Sequence, residues 1–103
     1  MCGIAGKVSL LNSKNQSLEA TKHELKLMLD LIAHRGPDDE GIWSDERGLA
    51  FLGHRRLAII DVSSRANQPM LSACSRYVCA FNGEIYNYLE LRDYLISRGK
   101  AFK

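Results

Sequence analysis

Gly41-Ile42-Trp43-Ser44-Asp45-Glu46-Arg47-Gly48-Leu49-Ala50-Phe51-Leu52 sets two apolar segments on either side of a polar tetrapeptide. Gly41 to Ser44 and Leu49 to Ile60 therefore read as the two arms of a β-hairpin, turned by Asp45-Glu46-Arg47-Gly48. Upstream the period changes. Leu25, Met28, Leu29 and Ile32 recur at i, i+3, i+4 and i+7, which predicts an amphipathic helix from Leu18 to about His34 with that face inward. Ser17 and Thr21 both fit the cap at its start. Arg35-Gly36-Pro37 closes it, Gly36 by taking the C-cap conformation and Pro37 because it cannot continue the ladder. The amino-terminal stretch from Cys2 to Leu10 reads as a strand, with Ile4, Val8 and Leu10 on one side and small residues between them.

Downstream, Ser63 to Met70 is a loop broken by Pro69, and Tyr77 to Phe81 is a short strand that runs into the turn signal Asn82-Gly83. Asn87 with Glu90 three residues on matches a capping box. The helix behind it carries Leu91, Tyr94 and Leu95 inward and stops at Gly99, after which Ala101-Phe102-Lys103 looks like the opening of another strand. The stop within a new strand suggests a fragment or a chain completed by something else.

The 103 residues allow one domain with a modest core. With 46% hydrophobic and 25% charged residues the composition is that of a globular protein rather than a disordered one. A formal net charge of +2, with the basic residues scattered, gives no case for nucleic acid. No apolar run is long enough for a bilayer, and the amino terminus lacks the character of a signal peptide. Three cysteines are an odd number and too few for a secreted disulfide scaffold, so a cytoplasmic setting is expected.

Four stretches could carry chemistry. If Met1 is removed, Cys2 offers a thiol and a free α-amine on one residue, and an α-amine of pKa near 8 can serve as the base for its own nucleophile. A small, cleavable residue without a role is the commoner meaning of that position. Asn82 and Gly83 at a strand end could supply a side-chain amide and an open backbone N–H to an oxyanion, although Asn-Gly by itself more often marks a hairpin turn. In Gly53-His54-Arg55-Arg56-Leu57-Ala58-Ile59-Ile60-Asp61, alternation puts Arg56 and Ala58 on one face and Arg55, Leu57 and Ile59 on the other. At least one arginine then points inward or to a cleft, where a guanidinium suits capture of a carboxylate; surface charges flanking a strand fit equally well. His34-Arg35-Gly36-Pro37-Asp38-Asp39-Glu40-Gly41 has contiguous carboxylates, which cannot converge on one ion, and no metal is assigned. Cys74 and Cys79 are expected to be buried free thiols and His23 a surface histidine.

Met1-Cys2-Gly3-Ile4-Ala5-Gly6, His34-Arg35-Gly36-Pro37-Asp38-Asp39-Glu40-Gly41, Gly53-His54-Arg55-Arg56-Leu57, Gln68-Pro69-Met70 and Phe81-Asn82-Gly83-Glu84-Ile85-Tyr86-Asn87, in that order, resemble the glutaminase domain of class II glutamine amidotransferases. The glutamine-hydrolysing asparagine synthetases are the most similar group within that family. The resemblance covers essentially all of residues 1–103. It implies an N-terminal-nucleophile hydrolase fold, a four-layer α/β/β/α sandwich of antiparallel sheets, of which this chain would be the amino-terminal portion.

Carried over by position, the resemblance makes Cys2 the nucleophile on the glutamine side-chain amide, with its own α-amine as base through a water. It makes Asn82 and the N–H of Gly83 the oxyanion hole and Arg56 the clamp on the α-carboxylate. Leu57, Ala58, Ile59, Ile60 and Glu84 become the remaining local glutamine contacts, with Arg35 and Gly36 close to the nucleophile. The products would be glutamate and ammonia, by way of a thioester. A carboxy-terminal synthetase domain, with ATP and Mg, would use the ammonia to amidate aspartate; this chain itself is expected to hold no cofactor, and a homo-oligomer is possible for the whole.

Two departures accompany the resemblance. The family's domain is considerably longer, so the strand bearing an aspartate for the α-amino group is expected beyond residue 103. With Met1 in place, moreover, the nitrogen of Cys2 is an amide without basicity. The alternatives are a non-catalytic truncated fragment and an amidotransferase for a different acceptor, such as a sugar phosphate.

Overall fold

The computed structural model describes residues 1–9, 17–59 and 63–102. Its elements are β1 (Gly3–Val8), α1 (Leu18–Leu31), β2 (Asp39–Ser44), β3 (Ala50–Arg56), β4 (Met70–Leu71), β5 (Val78–Cys79) and α2 (Tyr88–Ser97). The fold is α+β with antiparallel sheets. One sheet has the order β1-β3-β2, and β4 and β5 form a second, two-stranded ribbon.

The hairpin read from residues 41–60 is present as β2 and β3, in the register Gly41↔His54 and Trp43↔Leu52. Its turn is held by the Asp45 carboxylate, which accepts from Leu49 N–H at 2.6 Å and Ala50 N–H at 2.8 Å. Gly48 closes the turn at φ 67°, a left-handed conformation that disfavours a side chain.

Alternation gives this sheet two different faces. Gly3, Ala5, Phe51, Gly53 and Arg55 lie on one of them by register, and α1 packs there. The contact is close because two positions lack a side chain: a Cβ on Gly53 would come within 2.8 Å of Leu29 Cδ1, and one on Gly3 within 2.8 Å of Ile32 Cδ1. Ala5, Leu25, Leu29 and Phe51 are the core, with Ile32 packed against it. Above it, Arg55 donates to the Leu29 carbonyl at 3.1 Å and pairs with Asp30 at 3.0 Å and Glu40 at 3.2 Å. Lys26 bridges the same two carboxylates.

Several sequence expectations change. The helix ends at Leu31 and a 3₁₀ turn follows at Ala33–Arg35. Ser17 is the cap, accepting from Ala20 N–H at 3.0 Å, while Thr21 is buried. Met28 is 40% exposed: the inward stripe is narrower than the apolar spacing, because a single sheet face covers only the line through Thr21, Leu25 and Leu29. Gly36 has φ −153°, not a left-handed cap; glycine is needed because a Cβ would stand 2.4 Å from the Arg55 carbonyl.

On β1, Gly3 and Ala5 face the helix, and Ile4 and Val8 lie on the other side, 43% and 66% exposed. Residues 10–16 lie outside the described residues, as does Lys103. The strand expected over Tyr77–Phe81 is reduced to Val78–Cys79, and Ala101–Phe102 carries no strand.

Asn87 caps α2 without a side-chain hydrogen bond, so the capping box does not form. Leu91, Tyr94 and Leu95 are exposed, and no residue of α2 is buried. Its end is as read, with Gly99 at φ 78° and Lys100 N–H returning to the Leu95 carbonyl at 3.0 Å. Cys74 and Cys79 are exposed rather than buried, because they sit on and beside a two-stranded ribbon that nothing described covers.

Candidate active site

The face of the sheet opposite α1 carries Ile4, His54 and Gly41 in one row across three strands, with Arg56 and Asp39 paired at its end. Against this face lie the segment Asn67–Gln68, at Arg56 and Gly41, and Phe81, at His54. A Cβ on Gly41 would come within 1.9 Å of the Gln68 carbonyl oxygen, so the segment rests directly on the sheet.

Cys2 immediately precedes β1, beside the end of β3. Its Sγ accepts from the Leu57 N–H at 3.3 Å and lies 3.8 Å from the Leu57 carbonyl, while Arg35 Nε donates to the Cys2 carbonyl at 3.3 Å. Arg35 thus reaches the backbone of Cys2 from the 3₁₀ turn, and the adjacent Gly36 allows that turn to approach β3. Met1 precedes Cys2 and is 75% exposed.

The two neighbouring arginines separate as alternation demands. Arg55 serves the α1 face, whereas Arg56 is 7% exposed and turns to the opposite one. There its Nη1 donates to the Ser63 carbonyl at 2.8 Å and to Asn67 Oδ1 at 2.7 Å. A guanidinium fixed in this way is already ordered before any anion arrives.

A cavity of about 310 Å³ brings the expected residues together: Cys2, Arg56, Leu57, Asn82, Gly83 and Glu84 all line it. Ile59 lines it as well; Ala58 does not, its N–H donating instead to Asp38 Oδ2 at 2.8 Å. Ile60 lies outside the described residues. Strict alternation would have put Leu57 opposite Arg56, but β3 ends at Arg56 and the chain turns, so both reach the same cavity.

Three residues have clear roles in this geometry that the sequence does not mark position by position. Asn67 holds Arg56, and Gln68 holds the backbone next to Asn82, its Oε1 accepting from the Phe81 N–H at 2.5 Å. The sequence signal for Asn67 is only the loop broken by Pro69, and Gln68 stands in the motif Gln68-Pro69-Met70 without a role attached to it. His54 is the third, 1% exposed, with Nε2 3.3 Å from the Phe81 carbonyl. Burial pushes its imidazole below the ordinary histidine value; nearby Arg56 acts in the same direction, while the Phe81 carbonyl and Asp39 oppose it.

Thiol, guanidinium and a side-chain amide beside an exposed glycine N–H, around a cavity that can hold a small amino acid, suit acyl transfer from an amide. Comparison with known proteins gives the same direction. A family model for the glutamine amidotransferase domain matches residues 1–103. The glutamine-hydrolysing asparagine synthetase 1 of Bacillus subtilis is 43% identical over 99% of this chain and 15% of its own length. Asparagine synthetase 2 of the same organism is 46% identical over 89% of the chain and 12% of its own length. The amidase chry2 of Gibberella zeae is 39% identical over 85% and 14% respectively. The chain thus spans 12–15% of the length of these relatives. No solved structure matches.

Proposed function

As the chain belongs to the glutamine amidotransferase domain family, we propose that it forms the glutaminase part of an asparagine-synthetase-like enzyme, hydrolysing glutamine to glutamate and ammonia through a Cys2 thioester. The observation that carries this reading is the convergence of Cys2, Arg56, Asn82 and Gly83 on one cavity, although they come from three separate places in the sequence.

Once Met1 is removed, the Cys2 α-amine takes the thiol proton through a water, and Sγ adds to the side-chain carbonyl carbon of glutamine. The negative oxygen of the tetrahedral adduct receives hydrogen bonds from the Asn82 side-chain amide and the Gly83 N–H. As the C–N bond breaks, the α-ammonium returns a proton to the leaving nitrogen and ammonia departs. Water then adds to the thioester, and glutamate leaves with the thiol restored. Arg56 holds the α-carboxylate, and Leu57, Ile59 and Glu84 complete the walls.

In the longer protein this part takes the N-terminal-nucleophile hydrolase sandwich, and a synthetase region uses ATP and Mg to amidate aspartate with the ammonia. That protein is read as cytoplasmic, and a homo-oligomer is compatible with it. No helix among the described residues is long and apolar enough to cross a membrane.

The test is Cys2→Ala in the full-length protein. Glutamine-dependent synthesis is expected to disappear while synthesis from free ammonia continues; intact glutamine-dependent synthesis overturns the reading. A different acceptor is the second reading, favoured by the match to a protein bearing the name of an amidase. Trials of other carboxylates as acceptor decide between them.

A further inference from the structure

Phe81 stands immediately before Asn82 and Gly83, and both of its backbone polar groups are engaged by side chains rather than by a neighbouring strand. Its N–H donates to Gln68 Oε1 at 2.5 Å, and its carbonyl lies 3.3 Å from His54 Nε2. These partners come from different elements, Gln68 from the segment resting on the sheet and His54 from the middle of β3. The ring of Phe81 in turn lies over Gly83, where a Cβ would come within 2.7 Å of its Cζ. Position is therefore passed from the sheet to Phe81 and from Phe81 to both oxyanion donors.

We propose that His54 and Gln68 act as a two-sided clamp on the Phe81 backbone, positioning residues that fix the Asn82 amide and the Gly83 N–H for the transition state.

The clamp rests on the glutaminase reading above and adds to it a cause for the geometry of the oxyanion hole. A carbonyl can only accept, so Nε2 must carry the proton of the imidazole. Nδ1 is then the bare nitrogen, and it is buried with no hydrogen-bond partner among the described residues. A neutral imidazole with one committed N–H and one idle nitrogen, away from the nucleophile's own contacts, fits a holder better than a proton carrier. The floor beneath the clamp is matched to it: Gly41 is the register partner of His54, and its missing side chain lets Gln68 settle on the sheet. Tightly positioned donors matter because an oxyanion hole stabilises charge only where that charge develops.

The experiment is steady-state glutaminase kinetics on the full-length protein carrying His54→Ala, Gln68→Ala, and the conservative His54→Gln and Gln68→Glu, which keep a donor and an acceptor. Each alanine variant is expected to lower kcat at least about tenfold with KM within about twofold, in the manner of a weakened oxyanion donor. The conservative variants are expected to recover most of that loss. If His54→Ala does not fold, the loop variants at Gln68 carry the test. Unchanged kcat in the alanine variants, a rise in KM alone, or conservative variants as slow as the alanine ones overturns the clamp. Labelling of wild-type Cys2 by an electrophilic glutamine analogue checks the underlying glutaminase reading separately. A wild-type protein that takes no label and hydrolyses no glutamine fails at that reading, and the clamp falls with it.

Discussion

The carbonyl oxygen of Gln68 lies against Gly41, so near that a single added carbon there would come within 1.9 Å of it. Nothing flexible can yield, because the obstructing atom is backbone. Gly41→Ala is expected to lift the 67–69 segment from the sheet, releasing both the Asn67 hold on Arg56 and the Gln68 hold on Phe81. Overpacking of this kind costs about 1–3 kcal/mol or more. A thermal melt should show the loss, and glutaminase activity should fall further than the melt alone explains. A variant with wild-type activity and stability would contradict the close approach.

Leu29 and Met28 are neighbours on α1 with opposite surroundings, 0% and 40% exposed. Leu29→Ala removes packing against the sheet and is expected to cost about 2–5 kcal/mol. Met28→Ala is expected to cost much less, within about 1 kcal/mol. Denaturant unfolding of the two variants checks the order, and equal losses would mean that α1 is rotated from the orientation described.

On the proposed glutaminase reading, Arg55 serves ion pairing and Arg56 serves substrate capture. Arg56→Lys keeps the charge but loses the fork that can hold both Asn67 and a carboxylate. Losing a charge-assisted hydrogen bond of about 1.5–3 kcal/mol corresponds to a rise in glutamine KM of roughly 10- to 150-fold. Arg55→Lys is expected to leave KM unchanged, as its contacts are Leu29, Asp30 and Glu40 on the helix side. Steady-state kinetics of both variants provides the measurement.

The burial of His54 gives stability a pH dependence with a definite sign. Its folded pKa lies below the ordinary 6.5, so between the two values the unfolded chain binds more protons than the native one. Stability should therefore be fully present above about pH 6.5, decline as the pH falls through that value, and level off once the native imidazole is also protonated. Asp30 and Asp45 act in a lower window. Lys26 beside Asp30, and the Ala50 N–H on Asp45, hold both carboxyls below the usual 3.8, so their contribution is lost only as pH falls through that lower range. Melting temperature followed from pH 8 to pH 5 checks the histidine, and His54→Gln should flatten that part of the profile. A wild-type profile that does not decline there would contradict the burial of His54.

The sequence by itself determined the elements whose signals are local. Asp45-Glu46-Arg47-Gly48 sits between apolar arms and made the hairpin; the 3.6-residue spacing made α1; and glycine at position 99 stopped α2. Ordered motifs with Cys2, Arg56, Asn82 and Gly83 also marked the family and its candidate site, because those residue types are specified by chemistry rather than by packing. Only the tertiary structure decided which of two arginines faces the cavity, since strand alternation separates Arg55 from Arg56 but does not say which side the helix covers. It likewise decided that Gly3 and Gly53 admit α1 and Gly41 admits Gln68, because a glycine's use depends on what approaches it from far along the chain. His54, Asn67 and Gln68 belong to the same class. Their roles are hydrogen bonds to groups 27, 11 and 13 residues away, and no local pattern records a partner at that separation.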